Sequence, residues 1–394
     1  MSRISIAYQA PAWPASMSSN GISKYVERVL PALMSMGVEP LVFAFDHGGA
    51  LPGGVPSFPV EYRPQSLLEK VYRKLSPAGF DRYRFRRSFL PVLKAHGVDI
   101  LEMEEARGDS LYLGDDPGVK VVLRLHGPWF LNGAALGLRE DAVFTQRVER
   151  ERQAILAAKH ITAPSQDVID RTAAYYRIDL SRAVCIPNPI EIPPEADCWQ
   201  ASLADPHLLL FVGRFDRHKG ADILLQAFAK LKARHPLLRL AFVGPDRGLV
   251  GANGEVVGLK AYLASELPPA VVDAIDCLGE LGQADIGQLR RKALLTVAPS
   301  RYDNFPYTVL ESLSLGCPTI ASDAGGASEM ITSGVNGWLF ESGSVDSLAD
   351  VISKALSQGR GLSEVAHAGR VSVIERYSPE VVARRLYEHY RSML

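Results

Sequence analysis

The chain has 394 residues, 47% of them hydrophobic and 22% charged, with a formal net charge of −1. At roughly 100–200 residues per domain that length suggests two or three domains, and the balance is that of a folded chain, not a disordered one. Near-neutral charge excludes a dedicated nucleic-acid binder, which carries a strong basic excess.

Ile4–Tyr8 reads as a short buried strand, Gly21–Met36 as a helix with apolar residues at helical spacing, and Pro40–Phe45 as the next strand. Asp99–Met103 and Lys120–Leu125 are further strands, the second running into His126-Gly127-Pro128. Phe144–Lys159 is rich in helix formers, Ile161–Pro164 is strand-like, and Ser165 follows as a helix N-cap. Pro187, Pro189, Pro193 and Pro194 then stiffen a connector of the kind that separates domains. Beyond it the alternation restarts with strand Leu208–Val212, helix Asp222–Arg234, strands Arg239–Val243 and Leu294–Pro299, helix Thr308–Leu315 and strand Pro318–Ser322. Ser378–Leu394 is a terminal helix. Short apolar strands alternating with helices imply parallel, doubly wound α/β sheets, here two in series. The expected domains are residues 1–187 and 188–377.

In such sheets ligands bind at the carboxyl ends of the strands, and three segments concentrate chemistry there. In Gly213–Gly220 a strand ends in glycine, and Arg214 and Lys219 offer a fork and a point charge to a phosphate. A solvated charged loop accounts for that segment alone equally well. In Pro299–Glu311 a strand passes through Asp303 into a helix start, where the amides of Thr308 and Val309 suit a pyrophosphate and Glu311 suits ribose hydroxyls. An acid complementing the helix dipole is the plainer account of Glu311. Asp303 and Glu311 stand eight residues apart, the wrong arrangement for the paired carboxylates of a glycoside hydrolase. In Ser322–Glu329, Gly325-Gly326 permits close backbone approach or simply turns the chain.

Taken in order, Gly213-Arg214, Lys219-Gly220, Tyr302–Glu311, Gly316–Ser322, Gly325-Gly326 and Glu329 resemble the retaining glycosyltransferases of family 4. Ile186-Pro187-Asn188-Pro189 and Gly334–Phe340 match as well, and the first half matches more loosely through Asn20-Gly21 and His126-Gly127-Pro128. The resemblance implies the GT-B fold, two Rossmann-like doubly wound domains facing a central cleft, with the terminal helix 378–394 crossing back to the first domain. It also implies sugar transfer from a nucleotide-sugar, UDP- or GDP-linked, to a carbohydrate or lipid-linked acceptor in cell-surface polysaccharide, lipopolysaccharide or glycolipid synthesis. By that resemblance Arg214 and Lys219 neutralise the leaving diphosphate with Gly213 beside them, and Glu311 binds the ribose. Asp303 touches the donor sugar, helped by amides around Asn304, Phe305 and Pro306, and Leu278–Leu281, Leu281 above all, lines the base pocket. Asn20 and Gly21 close over the diphosphate, and His126 lies beside the anomeric centre. A polar cap on a sheet end is the plainer reading of His126.

Two cations and a helix N-terminus can stabilise a departing diphosphate without metal. No Asp-x-Asp triplet occurs in the sequence, so metal-independent activity with no cofactor is expected. Two positions depart from the family pattern: Asp303 stands where it has glutamate, and Asn20-Gly21 where it has a glycine pair. A nucleotide-sugar epimerase of the same fold, a nucleotide-sugar sensor and glycosylation of a small soluble metabolite are the alternatives.

Cys185, Cys198, Cys277 and Cys317 stand singly, so neither a disulfide scaffold nor a zinc site is expected and a reducing cytoplasm fits. No stretch approaches the ~20 apolar residues of a membrane span, and the N-terminus lacks the apolar run of a signal peptide. Within Lys70–Lys94, however, Lys70, Arg73, Lys74, Arg82, Arg84, Arg86, Arg87 and Lys94 alternate with Val71, Tyr72, Phe80, Tyr83, Phe85, Phe89 and Leu90. That pattern fits either a surface for anionic lipid, on the inner face of a membrane, or a solvated helix whose apolar side is core.

Overall fold

The computed structural model describes residues 3–17, 20–48, 54–61, 66–113, 118–251, 254–359 and 361–394. The chain forms two compact units: Met1–Phe130 with Glu140–Pro189 and Pro379–Leu394, and Leu131–Arg139 with Ile190–Ser378. The second unit thus takes a short segment from the first half of the chain, which a single cut at the proline connector had left with the first.

In the first unit, the described strands are β1 (Ile4–Trp13), β2 (Val38–His47), β3 (Ser57–Pro59), β4 (Ile100–Glu104), β5 (Lys120–Arg124), β6 (His160–Ala163) and β7 (Ala183–Cys185). All pair in parallel, in the order β3-β2-β1-β4-β5-β6-β7, so the direction of winding reverses between β1 and β4. Helices α1 (Gly21–Ser35), α2 (Leu67–Leu75), α3 (Pro77–Ala95), α4 (Trp129–Ala135), α5 (Ala142–Ala157) and α6 (Gln166–Tyr176) fill the first half of the chain. The register of α1 is set by its N-cap: Asn20 Oδ1 accepts from the Ile22 amide at 2.7 Å. Its buried stripe of Tyr25, Val26, Val29, Leu30 and Leu33 then lies against β1. Ser165 caps α6 as expected.

In the second unit, β8 (Asp205–Val212), β9 (Arg239–Val243), the hairpin β10 (Leu249–Val250) and β11 (Val256–Val257), β12 (Ile275–Gly279), β13 (Ala293–Ala298), β14 (Thr319–Ser322) and β15 (Trp338–Phe340) follow. Outside the hairpin they form one parallel sheet, β12-β9-β8-β13-β14-β15, whose reversal falls between β8 and β13. Its helices are α7 (Ala221–Lys232), α8 (Leu259–Glu266), α9 (Pro269–Val272), α10 (Gln283–Lys292), α11 (Tyr307–Ser314), α12 (Ala327–Met330), α13 (Val345–Leu356) and α14 (Gly361–Tyr377). α7 buries Ile223, Leu224, Ala227, Phe228 and Leu231 beside Leu209, Phe211, Leu295 and Val297, a core sheltered from water on that side of the sheet. The last helix, α15 (Pro379–Met393), belongs to the first unit, where Val382, Ala383, Leu386 and Tyr390 pack with α1 and β1.

The basic stretch divides at Ser76-Pro77. In α3 the phenylalanines point inward while Tyr83 is exposed: Phe80, Phe85 and Phe89 are core, Phe89 stacking on Phe43 at 4.1 Å and on Phe85 at 4.2 Å. Arg84 is buried as well, held by Glu61 at 2.7 Å and Glu69 at 3.2 Å. These four are therefore not part of an outer face. α2 buries none of its residues, and its Leu67, Leu68 and Leu75 are 77%, 82% and 80% exposed. Among the described residues no helix is long and apolar enough to cross a membrane.

Candidate active site

In the second unit the candidate residues gather at the switch point. β8 is an apolar strand that leads into loop 213–220, and Asp216 organises that loop: Oδ2 accepts from Arg214 Nε at 2.7 Å, Oδ1 from the Lys219 amide at 2.8 Å. Arg214 spends only Nε on this bond, so its terminal nitrogens keep their donors for another acceptor. The neighbouring strand β13 delivers Asp303, whose Oδ2 meets Lys219 Nζ at 2.6 Å. Burial raises the Asp303 carboxyl, but Lys219, His218 and the bonds from Lys219 and the Phe305 amide outweigh it and hold it below the usual aspartate range. Asp303 is therefore a carboxylate at neutral pH. Arg301 is turned to α7 instead, bidentate to Asp222 at 2.8 and 2.6 Å.

The structure revises several readings of the following helix. α11 starts at Tyr307, so Glu311 lies beyond its first turn and does not answer the helix dipole there. Its partner is Arg290 of α10, Nη2 to Oε2 at 2.9 Å, with side chains only 2% and 12% exposed. The Val309 amide donates to the Pro306 carbonyl at 3.1 Å, and the Phe305 amide to Asp303 Oδ1 at 3.3 Å. Pro306 has no N–H to offer. Of the amides expected to face a donor, that of Thr308 lies in the first turn of α11, and Asn304 donates through Nδ2 to Asn132 Oδ1 at 3.0 Å. Phe305 is a core residue, edge-on to Tyr377 at 5.6 Å. Gly325 and Gly326 serve packing: a Cβ on Gly325 would fall 2.2 Å from the Asp303 carbonyl oxygen, and one on Gly326 2.4 Å from that of Asn304. They let the loop bearing Asp303 lie directly on the turn after β14. Gly213 bonds to the Val243 carbonyl at 2.9 Å, Leu278 is exposed, and Leu281 packs beside β8 and β9.

In the first unit, Asn20 and Gly21 open α1, and the Asn20 side chain serves as its cap. His126 follows β5. Its imidazole meets the Tyr25 ring edge-on at 5.4 Å, and burial, with Arg124 adding to it, holds it well below the usual histidine value, so it is neutral. Arg124 lies over the Tyr25 ring at 4.1 Å and donates to the Ile186 carbonyl at 2.8 Å and to Asn188 Oδ1 at 2.9 Å. Tyr25 donates to Glu102 Oε1 at 2.9 Å, and Tyr390 of α15 to Oε2 at 2.7 Å.

Two buried glutamic side chains hold the backbone around His126. Glu105 accepts from the His126 amide through Oε2 and the Gly127 amide through Oε1, each at 2.8 Å. Glu151 of α5 accepts from the Trp129 amide at 2.6 Å, the Arg107 amide at 3.2 Å and Arg147 Nε at 3.0 Å. Burial, then Glu151, pushes the Glu105 carboxyl up to about 8, and burial pushes Glu104 up to about 7. Sequence reading passed over Glu105, Tyr25 and Arg290. Two acids in a row after an apolar strand were a signal for the first. Arg290 lies four residues after the buried Ile286, on the same helical face.

Two doubly wound parallel sheets in one chain are the architecture of the GT-B fold. Residues 199–370 match the family described as Glycosyl transferases group 1, and residues 19–192 match Glycosyltransferase Family 4. The chain belongs to the group 1, family 4 glycosyltransferases. It is 25% identical over 400 residues to a D-inositol 3-phosphate glycosyltransferase of Frankia alni, spanning 97% of this chain and 96% of that one. Among solved structures it resembles the sucrose-phosphate synthase of Thermosynechococcus elongatus, with 19% identity, a TM-score of 0.74 and 99% of each chain covered. Anabaena HepE in complex with UDP gives 17% identity and a TM-score of 0.72, covering 99% of this chain and 100% of that one.

Proposed function

We propose that the enzyme is a retaining, metal-independent hexosyltransferase that moves a sugar from a UDP- or GDP-linked donor to an acceptor hydroxyl. The observation that carries this reading is the row of charge pairs around the β8–β13 switch point, Arg214–Asp216, Lys219–Asp303 and Arg290–Glu311. A departing nucleoside diphosphate needs cations where its charge develops. Arg214 meets it with the terminal nitrogens that Asp216 does not use. Lys219 exchanges Asp303 for a phosphate oxygen, which releases the Asp303 carboxylate to the hydroxyls of the sugar. The α11 N-terminus at Thr308 adds its partial positive charge. Glu311, held through Oε2 by Arg290, binds the ribose hydroxyls, and Leu281 walls the base. In the first unit the α1 start at Asn20-Gly21 is a second candidate for phosphate contact. His126, being neutral, acts there as a hydrogen-bonding group on the transferred sugar and not as a cation.

HepE was solved with UDP, which makes uridine nucleotides the first to test. Thermal unfolding with UDP, GDP, ADP and their common sugar conjugates is that test, since a ligand at 100 times its Kd stabilises by about 2.7 kcal/mol. Stabilisation by one base class is expected; none by any would overturn the donor-site reading. Turnover lost in EDTA and restored by Mn²⁺ would overturn metal independence.

For the acceptor we propose a lipid-linked saccharide of cell-surface synthesis, reached by an enzyme docked peripherally on the cytoplasmic face of a membrane. Its support is α2, where exposed Leu67, Leu68 and Leu75 share a short helix with Lys70, Arg73 and Lys74. Retention by anionic vesicles at low salt, lost with Leu68→Glu, is expected, and no retention removes this reading. The relatives named for D-inositol 3-phosphate favour a second one, a small phosphorylated polyol as acceptor.

A further inference from the structure

Glu105 holds two consecutive amides of the loop that carries His126. It stands directly after β4, the strand beside the β1–β4 switch point, and is 2% exposed. Its oxygens divide the work, Oε2 on the His126 amide and Oε1 on the Gly127 amide. The His126 amide also points at the Arg124 carbonyl, at 3.1 Å, and Gly127 sits at φ +140°, a backbone conformation side-chain-bearing residues rarely adopt. The turn is therefore not a regular structure that its own ladder maintains. It is a bent exit from β5 whose two successive N–H groups converge on one carboxyl group. Such a turn relaxes when the acceptor is lost, because each amide then gives up one of its hydrogen bonds.

We propose that Glu105 is a positioning residue for the transfer reaction, its two carboxyl oxygens fixing the backbone at His126 and Gly127 so that the imidazole is held at the reacting sugar. The assignment rests on the reading of His126 as the sugar-contacting group given above. The remainder of the imidazole's setting agrees with a fixed ring: Tyr25 meets it edge-on and is itself tied to Glu102, and Glu151 secures the next stretch of the loop at Trp129. Glutamine at 105 keeps the size but replaces one acceptor oxygen with an NH₂ that faces an amide N–H. One of the two holds then becomes a repulsion, and the loop moves by a fraction of an ångström or more. Misplacement of about 1 Å in a catalytic group costs on the order of 100-fold in rate without a change in the binding of remote parts of the substrate.

The test uses the full chain with UDP-glucose and GDP-mannose as probes, reading slow hydrolysis of the sugar–phosphate bond together with UDP or GDP affinity. For Glu105→Gln we expect hydrolysis to fall by about 10- to 100-fold with nucleotide affinity unchanged. Glu105→Asp, which keeps both oxygens and shortens the reach, is expected to lie between the two and serves if Glu105→Gln does not fold. In a His126→Ala background Glu105→Gln is expected to cost little further, because it acts through that residue. Equal hydrolysis by Glu105→Gln and the parent, or full additivity with His126→Ala, would overturn the Glu105 assignment while leaving the transferase reading intact. A matched loss of nucleotide affinity and thermal midpoint would mark Glu105 as structural and overturn it too. If the parent neither binds nor cleaves either probe, the donor reading falls and takes this assignment with it.

Discussion

Arg290→Met tests the donor half-site at its most buried charge. Arg290 is 2% exposed and its Nη2 bonds to Glu311 Oε2 at 2.9 Å, while its Nε has no partner among the described residues. Removing one member of a buried ion pair strands the other and costs about 3–5 kcal/mol, whereas replacing both by apolar groups of similar volume is often close to neutral. For a unit of roughly 200 residues, 1 kcal/mol moves the midpoint by about 2–4 °C, so either single variant should lose about 6–20 °C. Arg290→Met and Glu311→Met should each do so, and the double variant should recover most of the loss. UDP affinity should fall in all three, since the ribose contact needs a held carboxylate. Calorimetric unfolding of the parent and three variants, with UDP titrations beside it, is the assay. A double-variant loss equal to the sum of the singles would refute the pair as a coupled unit. Unchanged UDP affinity would refute Glu311 as the ribose contact.

Asp303→Asn frees Lys219 from its 2.6 Å ion pair and removes the sugar-facing charge. Nucleotide affinity should hold or rise while hydrolysis of the bound nucleotide-sugar falls, measured by titration and UDP release. His126→Ala should cut turnover far more than nucleotide affinity; equal losses would point to folding instead. Glu104 ionises at about 7 in the folded chain against an ordinary value of 4.5. Between those limits the folded chain keeps a proton that the unfolded chain has lost, so stability falls as pH rises through the window. Glu104→Gln should remove its share of that slope and leave the share of Glu105, gaining about 3 kcal/mol over the parent from the acid to the alkaline end of the window. Denaturant melts at a series of pH values read this, and parallel curves would refute the buried carboxyl as the source.

The alternation of strand and helix was legible because parallel strands buried on both faces read as plain apolar runs. β3 and β7, of three residues each, and the half-exposed β12 carry no such pattern and went unseen. Arg214, Lys219 and Asp303 stood out because they stand in loops at the carboxyl ends of apolar strands, where ligands bind in such sheets, and the structure brings the last two together at 2.6 Å. Hydrogen-bond direction was beyond reach. Nothing in the order Asn304-Phe305-Pro306-Tyr307 says that the Phe305 amide turns back to Asp303, or that the helix begins one residue before Thr308. Arg290, Arg291 and Lys292 are equivalent by composition, and only packing sends the first inward to Glu311 and the second outward to Asp197. The same limit applied to α3, where the side of the helix each aromatic takes is decided by the Phe43 side of the sheet.

α15 has a consequence for how members of this family can be recombined. Tyr390 supplies one of the two hydroxyls that satisfy the buried Glu102, and Val382, Ala383 and Leu386 close the core of the first unit. Yet almost the whole of the second unit lies between these residues and the rest of their core along the chain. A graft that swaps the front of the gene alone would separate a fold from its own last helix. Exchanging the first unit between relatives therefore requires moving the two ends of the chain as one inherited part, with the middle as the insert.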